Sequence, residues 1–302
     1  MDELTTRYKE LDLFKTVNML ARNQGIEINF IVGNDEEMTD YGYTQCSPAN
    51  RKIDIVIKKA AADKEEVFVH ELLHAKLFLE GYPYINVYQL TGINPFINKA
   101  LESLSNSVQH TYVFANMKKM GCNQDSINKE FFEYVKEASL VKSEGAAKIG
   151  HIANFLELHL RSPLLLEEIK EDLYQRQPEA FSVFLKLKKL VKGINSPLTM
   201  RAAYTKIYQL VNQFILEQTG EDMHLNKIVL VSPVFVESLL VRRASEILYT
   251  FKHPGYPTVF VLDRINNQCC YFLSNHGANL EKEYVDMLLN RATLKEVMEM
   301  FA

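Results

Sequence analysis

The stretch EVFVHELLHAKLFLEGYP, residues 66 to 83, constrains the fold more than any other part of the chain. Wound as an α-helix, it sets Val67, His70, Glu71, His74, Leu77 and Phe78 along one face and Phe68, Leu72, Ala75 and Leu79 along a second, wholly apolar one. A helix with two apolar faces must be covered on both, so it belongs inside a layered domain. Asp63 and Glu66 form a D-x-x-E start resembling a capping box, and Gly81-Tyr82-Pro83 supplies the stop, which predicts a helix of about four to five turns. Two histidines and a carboxylate inside such a helix need partners, because unpaired polar groups there cost on the order of several kcal/mol.

The H-E-x-x-H spacing supplies a reason for them. His70 and His74 stand one turn apart on one face and can bind a single cation through their imidazoles. Glu71 lies slightly to the side, where its carboxylate reaches a water at the metal without ligating it, the position of a zinc-peptidase general base. Zinc suits two neutral imidazoles with a third nitrogen or oxygen ligand and one position left for water. The bland alternative is a pair of hydrogen-bonded core histidines.

The neighbouring segments predict what packs around this helix. Apolar residues at helical spacing from Leu4 to Asn23 (Leu11, Phe14, Val17, Leu20) give a first helix ending near Gly25. IEINFIVG reads as a strand, and KIDIVIKK alternates, with Ile53, Ile55 and Ile57 on one face. The turn-rich segment between them has room for one more short strand. Asn94-Pro95 reads as an N-cap followed by proline at the first helical position and Gly121 as a C-terminal cap, giving a helix over 95 to 120 roughly 39 Å long. Its main apolar stripe is Ile97, Leu101, Leu104, Val108, Tyr112 and Ala115. On the other side stand Glu102, Asn106 and His110, flanked by Gln109 and continuing into Val113 and Met117.

The order helix, strand, strand, HELLH helix and long second helix resembles the zincin metallopeptidases, and in its compactness is similar to the gluzincin-like ImmA/IrrE family. The resemblance covers roughly residues 1 to 125 and rests on His70, Glu71, His74 and element order. Leu77 and Glu80 occupy the places where a metzincin has its glycine and third histidine, so the third ligand comes from farther along. Glu102 is what a gluzincin pattern supplies, whereas His110 is the better zinc ligand by intrinsic preference. The choice here is His110, with Glu102 as the alternative, because an imidazole on the metal leaves Asn106 able to orient a ligand or substrate from the second shell of the site.

The remainder is helical from 151 to about 218, with Ser162-Pro163, Pro178 and Ser196-Pro197 as new starts. From Lys227 the character changes: TVFVLD, the turn-like RINN and QCCYFLS predict a β-hairpin, followed by helix over the last twenty or so residues. KSEGAAKIG, 142 to 150, reads as a boundary. The expected fold is therefore α+β and helix-rich: a zincin-like metallopeptidase domain over 1–141, a helical region over 151–225 and a small C-terminal α+β module over 226–302.

Three weaker constellations stand beside the main one. His151, Glu157 and His159 look metal-like, but the two histidines fall about 80° apart and two turns distant, so a hydrated or packed surface explains them better. Val241-Arg242-Arg243 reads as a solvated helix face. Tyr43, Tyr82, Tyr84 and Tyr112 are possible oxyanion donors among 15 tyrosines.

With 34 basic and 38 acidic residues the net charge is -4, which gives no strong nucleic-acid signal. No leader or 18-residue apolar span is evident, and Cys46, Cys122, Cys269 and Cys270 lack C-x-x-C spacing, so a cytoplasmic protein with free thiols and no membrane partner is expected. The resulting expectation is a zinc metallopeptidase, a hydrolase acting on a protein or peptide, in which Glu71 takes the proton of the attacking water. A regulatory role is compatible with a protein partner on the C-terminal region. The alternatives are a non-catalytic zincin-fold regulatory binding protein and a metal-dependent hydrolase of a non-peptide amide. The Ile53 to Ile57 strand, placed at a sheet edge, would offer strand addition to an extended peptide.

Overall fold

The computed structural model of this chain describes residues 10–34, 41–47, 50–59, 61, 64–87, 95–252, 258–274 and 281–301. The start signals at Asp63 and Asn94 and the first residues of the Leu4 to Asn23 segment lie outside them. The fold is α+β and helix-rich. In chain order the elements are α1 (Asp12–Asn23), β1 (Glu27–Gly33), β2 (Gly42–Ser47), β3 (Lys52–Lys58), α2 (Lys64–Leu79), β4 (Ile85–Val87), α3 (Pro95–Lys119) and α4 (Asp125–Ala138). Then follow α5 (Lys148–Arg161), α6 (Pro163–Arg176), α7 (Pro178–Val191), α8 (Pro197–Thr219), β5 (Val229–Val231), β6 (Leu248–Lys252), β7 (Val259–Asp263), β8 (Cys269–Leu273), α9 (Lys282–Arg291) and α10 (Leu294–Phe301), with single-turn helices between some of them. The chain divides into two units, one of residues 1–82 and 109–130, the other of residues 83–108 and 131–302; the 142 to 150 stretch lies inside the second.

In the first unit the sheet order is β1-β3-β2, with β1 parallel and β2 antiparallel to β3. Alternation along β3 turns Ile53 and Ile55 to one side, where they pack with Phe14, Val17 and Ala21 of α1 and with Phe68, Leu72, Ala75 and Leu79 of α2. The second apolar face predicted for the HELLH helix is thus the face against the sheet. Gly25 ends α1 at a φ of 64°, which a glycine adopts without strain, and Gln24 Nε2 donates to Leu79 O at 2.8 Å, joining the ends of α1 and α2. One expectation is corrected: the Ile53 to Ile57 strand is central and paired on both sides, so its backbone groups are occupied and cannot take up a peptide. The short strand expected before it is β2, and β2 forms an edge of this sheet.

Helix α3 is a single helix whose two halves belong to different units. Ile97, Leu101, Leu104 and Val108 are buried in the half assigned to the second unit, whereas His110, Val113, Phe114 and Met117 are buried in the half assigned to the first. Ala115, expected on the main apolar stripe, is exposed, because the covered face of the helix moves around its axis where the partner elements change.

In the second unit Pro163, Pro178 and Pro197 each begin a helix, where a missing N–H costs nothing. Ser196 and Thr199 form a reciprocal capping box at the start of α8. Tyr204 and Tyr208 of α8 are fully buried with stacked rings, and Tyr204 donates to Ser105 O at 3.0 Å. β4 pairs with β5, and β6-β7-β8 form an antiparallel meander. Val259 and Val261 of that meander pack with Val285 and Leu289 of α9 and with Leu294 and Val297 of α10. Arg201 Nη2 of α8 donates to Asp263 Oδ2 at 2.6 Å and to Cys270 Sγ at 3.3 Å. Among the described residues no helix is long and apolar enough to cross a membrane.

Candidate metal centre

Helix α2 reaches its place because most of its circumference meets apolar cover: Phe68, Leu72, Ala75 and Leu79 face the sheet, and Val69, Leu73 and Leu77 are buried as well. The polar residues of the H-E-x-x-H are held at the seam that remains. Glu71 is 5% exposed, and the edge strand β2 comes up against it. A Cβ at Gly42 would stand 2.7 Å from Val67 Cγ1, 3.1 Å from Val56 O and 3.2 Å from Glu71 Cγ, so only glycine allows this approach without displacement. Two residues on, and therefore on the same strand face, Thr44 Oγ1 lies 2.9 Å from both Glu71 O and Glu71 Oε2. Its single proton is shared between the backbone carbonyl and the carboxylate, which ties the Glu71 side chain to its own helix turn and to β2.

The three histidines converge. Nε2 of His70 and Nε2 of His74 are 3.1 Å apart, and the ring centroid of His110 is 4.9 Å from that of His70 and 5.2 Å from that of His74. One nitrogen from each of the three lies within 4.8 Å of the others. Around zinc, with Zn–N bonds near 2.0–2.1 Å in a tetrahedron, ligand nitrogens stand about 3.4 Å apart. The His70–His74 separation is close to that spacing and His110 stands beside the pair, and imidazole donors suit zinc, copper, nickel or iron in preference to the harder calcium and magnesium. Phe114 closes one side of the cluster, its ring centroid 4.6 Å from that of His110 and 5.7 Å from that of His70.

Of the two candidates on α3 it is His110, buried, that joins His70 and His74; Glu102 is exposed and outside the group. Asn106 is exposed one turn before His110. The amide that does touch the cluster is that of Gln109, whose Oε1 lies 2.7 Å from Nδ1 of His74. Tyr112 is engaged elsewhere, donating to Glu80 Oε2 at 3.0 Å and accepting from Lys76 Nζ at 2.7 Å, with burial as the main cause of its raised phenol pKa. Tyr82 packs its ring 5.5 Å from that of Tyr112, Tyr43 is exposed on β2, and Tyr84 belongs to the strand pairing of the second unit, its N–H bonded to Ser232 Oγ.

Gly42, Thr44 and Gln109 are the residues that spacing alone did not bring forward. The period-two pair Gly42-x-Thr44 in a turn-rich segment and the position of Gln109 beside His110 are the only signals, and each becomes meaningful once strand and helix approach α2. The weaker constellations resolve as packing. His151 is buried with Nε2 2.9 Å from Ser143 Oγ, Glu157 pairs with Arg161 at 2.7 Å, and His159 stands edge-on to Phe184. Arg242 pairs with Glu246 on an exposed turn beside the exposed Val241. All four cysteines are free thiols, and burial pushes Cys46 up to about 12. Comparison with protein-family models, with curated proteins and with solved structures finds no match to this chain, and the reading of the site therefore rests on its own residues.

Proposed function

We propose that this protein is a zinc-dependent metallopeptidase that hydrolyses peptide bonds of a protein or peptide. The observation that carries the proposal is the convergence of His70, His74 and His110 within 4.8 Å beside the buried Glu71 of the same helix. His70, His74 and His110 would hold the ion, which when bound supplies Lewis acidity toward a carbonyl and toward water. Glu71 acts as general base: it takes a proton from the attacking water and later delivers it to the leaving amine. Thr44 steadies that carboxylate through Oε2, so the base keeps one orientation through both transfers. The edge strand β2, in place of the central β3, offers the backbone against which an extended substrate adds as a further strand. A cytoplasmic setting belongs to the same reading, in keeping with four free thiols, and so does a protein partner or signal received by the C-terminal module.

The test is metal content followed by turnover. Protein purified after zinc-replete expression should hold about one equivalent of zinc. It should also cleave members of a peptide library in a manner abolished by chelation and restored by zinc. Intact fold with no bound zinc rejects the metal centre. Bound zinc with no peptide cleaved rejects the peptidase and favours a regulatory binding protein or, where a non-peptide amide is hydrolysed, an amidohydrolase.

A further inference from the structure

We infer that Gln109 is a positioning residue that sets the tautomer of His74 and thereby prepares its Nε2 for a metal ion. The inference rests on the metal-centre reading above and concerns how the site is made ready. Gln109 Oε1 is 2.7 Å from His74 Nδ1, and a carbonyl oxygen accepts only, so Nδ1 carries the proton and Nε2 presents its lone pair. That lone pair lies 3.1 Å from Nε2 of His70. His74 Nδ1–H thus donates to Gln109 Oε1, and the opposite edge of the ring faces the other histidines. A cation arriving at the cluster would find the neutral His74 ring in the ligating tautomer.

The chemistry of the partner also matters. Ligating histidines usually hand their second N–H to a carboxylate, a backbone carbonyl or water. Here a neutral, half-buried side-chain amide serves. It orients the ring without adding negative charge, and with three imidazoles in the cluster a bound dication keeps its full charge for the fourth ligand.

Two measurements decide it. In metal-free protein labelled with ¹⁵N-histidine, long-range ¹H–¹⁵N correlation at neutral pH should show His74 as the Nδ1–H tautomer; the Nε2–H tautomer overturns the inference without any variant. Zinc affinity by chelator competition should fall about 10- to 100-fold in Gln109→Leu. Gln109→Glu, whose carboxylate accepts the same hydrogen bond, should recover most of that loss. Unchanged affinity in Gln109→Leu, with His74→Ala losing zinc, overturns this inference alone. Absence of zinc binding by the unaltered chain removes the metal centre and this inference together.

Discussion

Each unit of the molecule holds a polar cluster, partly buried in the first and buried in the second, and the two are built on opposite principles. In the second unit Arg201 and Asp263 are opposite charges in direct contact at 2.6 Å, 6% and 0% exposed, with the Cys270 thiol pushed up to about 12 by burial despite the neighbouring guanidinium. That cluster balances its own charge. In the first unit the members are alike: three imidazoles meet nitrogen to nitrogen. Groups of one kind brought together away from bulk solvent point to a cation, whereas groups of opposite kind point to cohesion. The contrast separates a candidate reaction centre from an internal strut, although both are polar clusters inside a folded unit.

The contrast can be broken by substitution. The largest effect is expected of Glu71→Gln, which should lower peptide turnover by about two to four orders of magnitude while zinc stays bound, checked by kinetics alongside metal analysis. Loss of zinc in that variant would make Glu71 a ligand or a support of the ligands, and its assignment as base would fall. Next comes Asp263→Ala, which leaves Arg201 as an uncompensated buried cation and should cost about 3–5 kcal/mol in denaturant unfolding, with zinc affinity unaltered. If removing Asp263 were as damaging to zinc binding as removing a histidine, the two clusters would not be independent.

A smaller effect sharpens the assignment of the third ligand. At a free zinc concentration of 100 times Kd the native state should gain about 2.7 kcal/mol, read as a rise in unfolding midpoint. His110→Ala should abolish this gain and Glu102→Ala should keep it; the opposite ranking would make the set His, His, Glu. The smallest effect is in pH. Burial lowers the pKa of His151, opposed in part by a hydrogen bond with the Val141 backbone, and burial followed by the Lys188 charge lowers that of His159. Both sit below the ordinary value of about 6.5, so the unfolded chain takes up protons that the folded one resists. Their contribution to stability is complete above about pH 6.5 and is lost as pH falls from there through the lower folded values. His151→Gln should make the decline in unfolding midpoint between about pH 7 and pH 5 shallower, and an unchanged decline would show that His151 is not one of its sources.

Much of the architecture is legible where one residue type allows one backbone solution. Pro163, Pro178 and Pro197 mark helix starts, and Gly81 and Gly121, at φ 75° and 76°, lie just beyond the ends of α2 and α3. The alternation of Ile53, Ile55 and Ile57 reveals a strand with one covered face, but alternation reports faces and says nothing of how many neighbours pair at the edges. Hence β3 looked available when it is central. The β4–β5 pairing escapes because three residues are too few to show a period and their partners are far apart in sequence, as in Ile85 with Val231. At the site, His70, Glu71 and His74 follow from spacing along one helix, whereas the contacts of Thr44 and Gln109 depend on how closely a strand and a second helix approach α2.

The chain leaves the first unit at Tyr82 and returns to it at Gln109. The first unit, which carries the candidate metal centre, is therefore not a segment that can be cut out. A fragment ending at Tyr82 carries two of the three histidines, and one extended to Glu130 drags along Pro83–Val108 without Tyr204 and Tyr208, which bond to the carbonyls of Ser105 and Leu101. Ile97, Leu101, Leu104 and Val108 would then turn an apolar stripe to water and invite aggregation. Truncation from the C-terminal side would thus uncover the first half of α3, and a protease that removes the later helices would reach the candidate site through that helix without cutting near His70, His74 or His110.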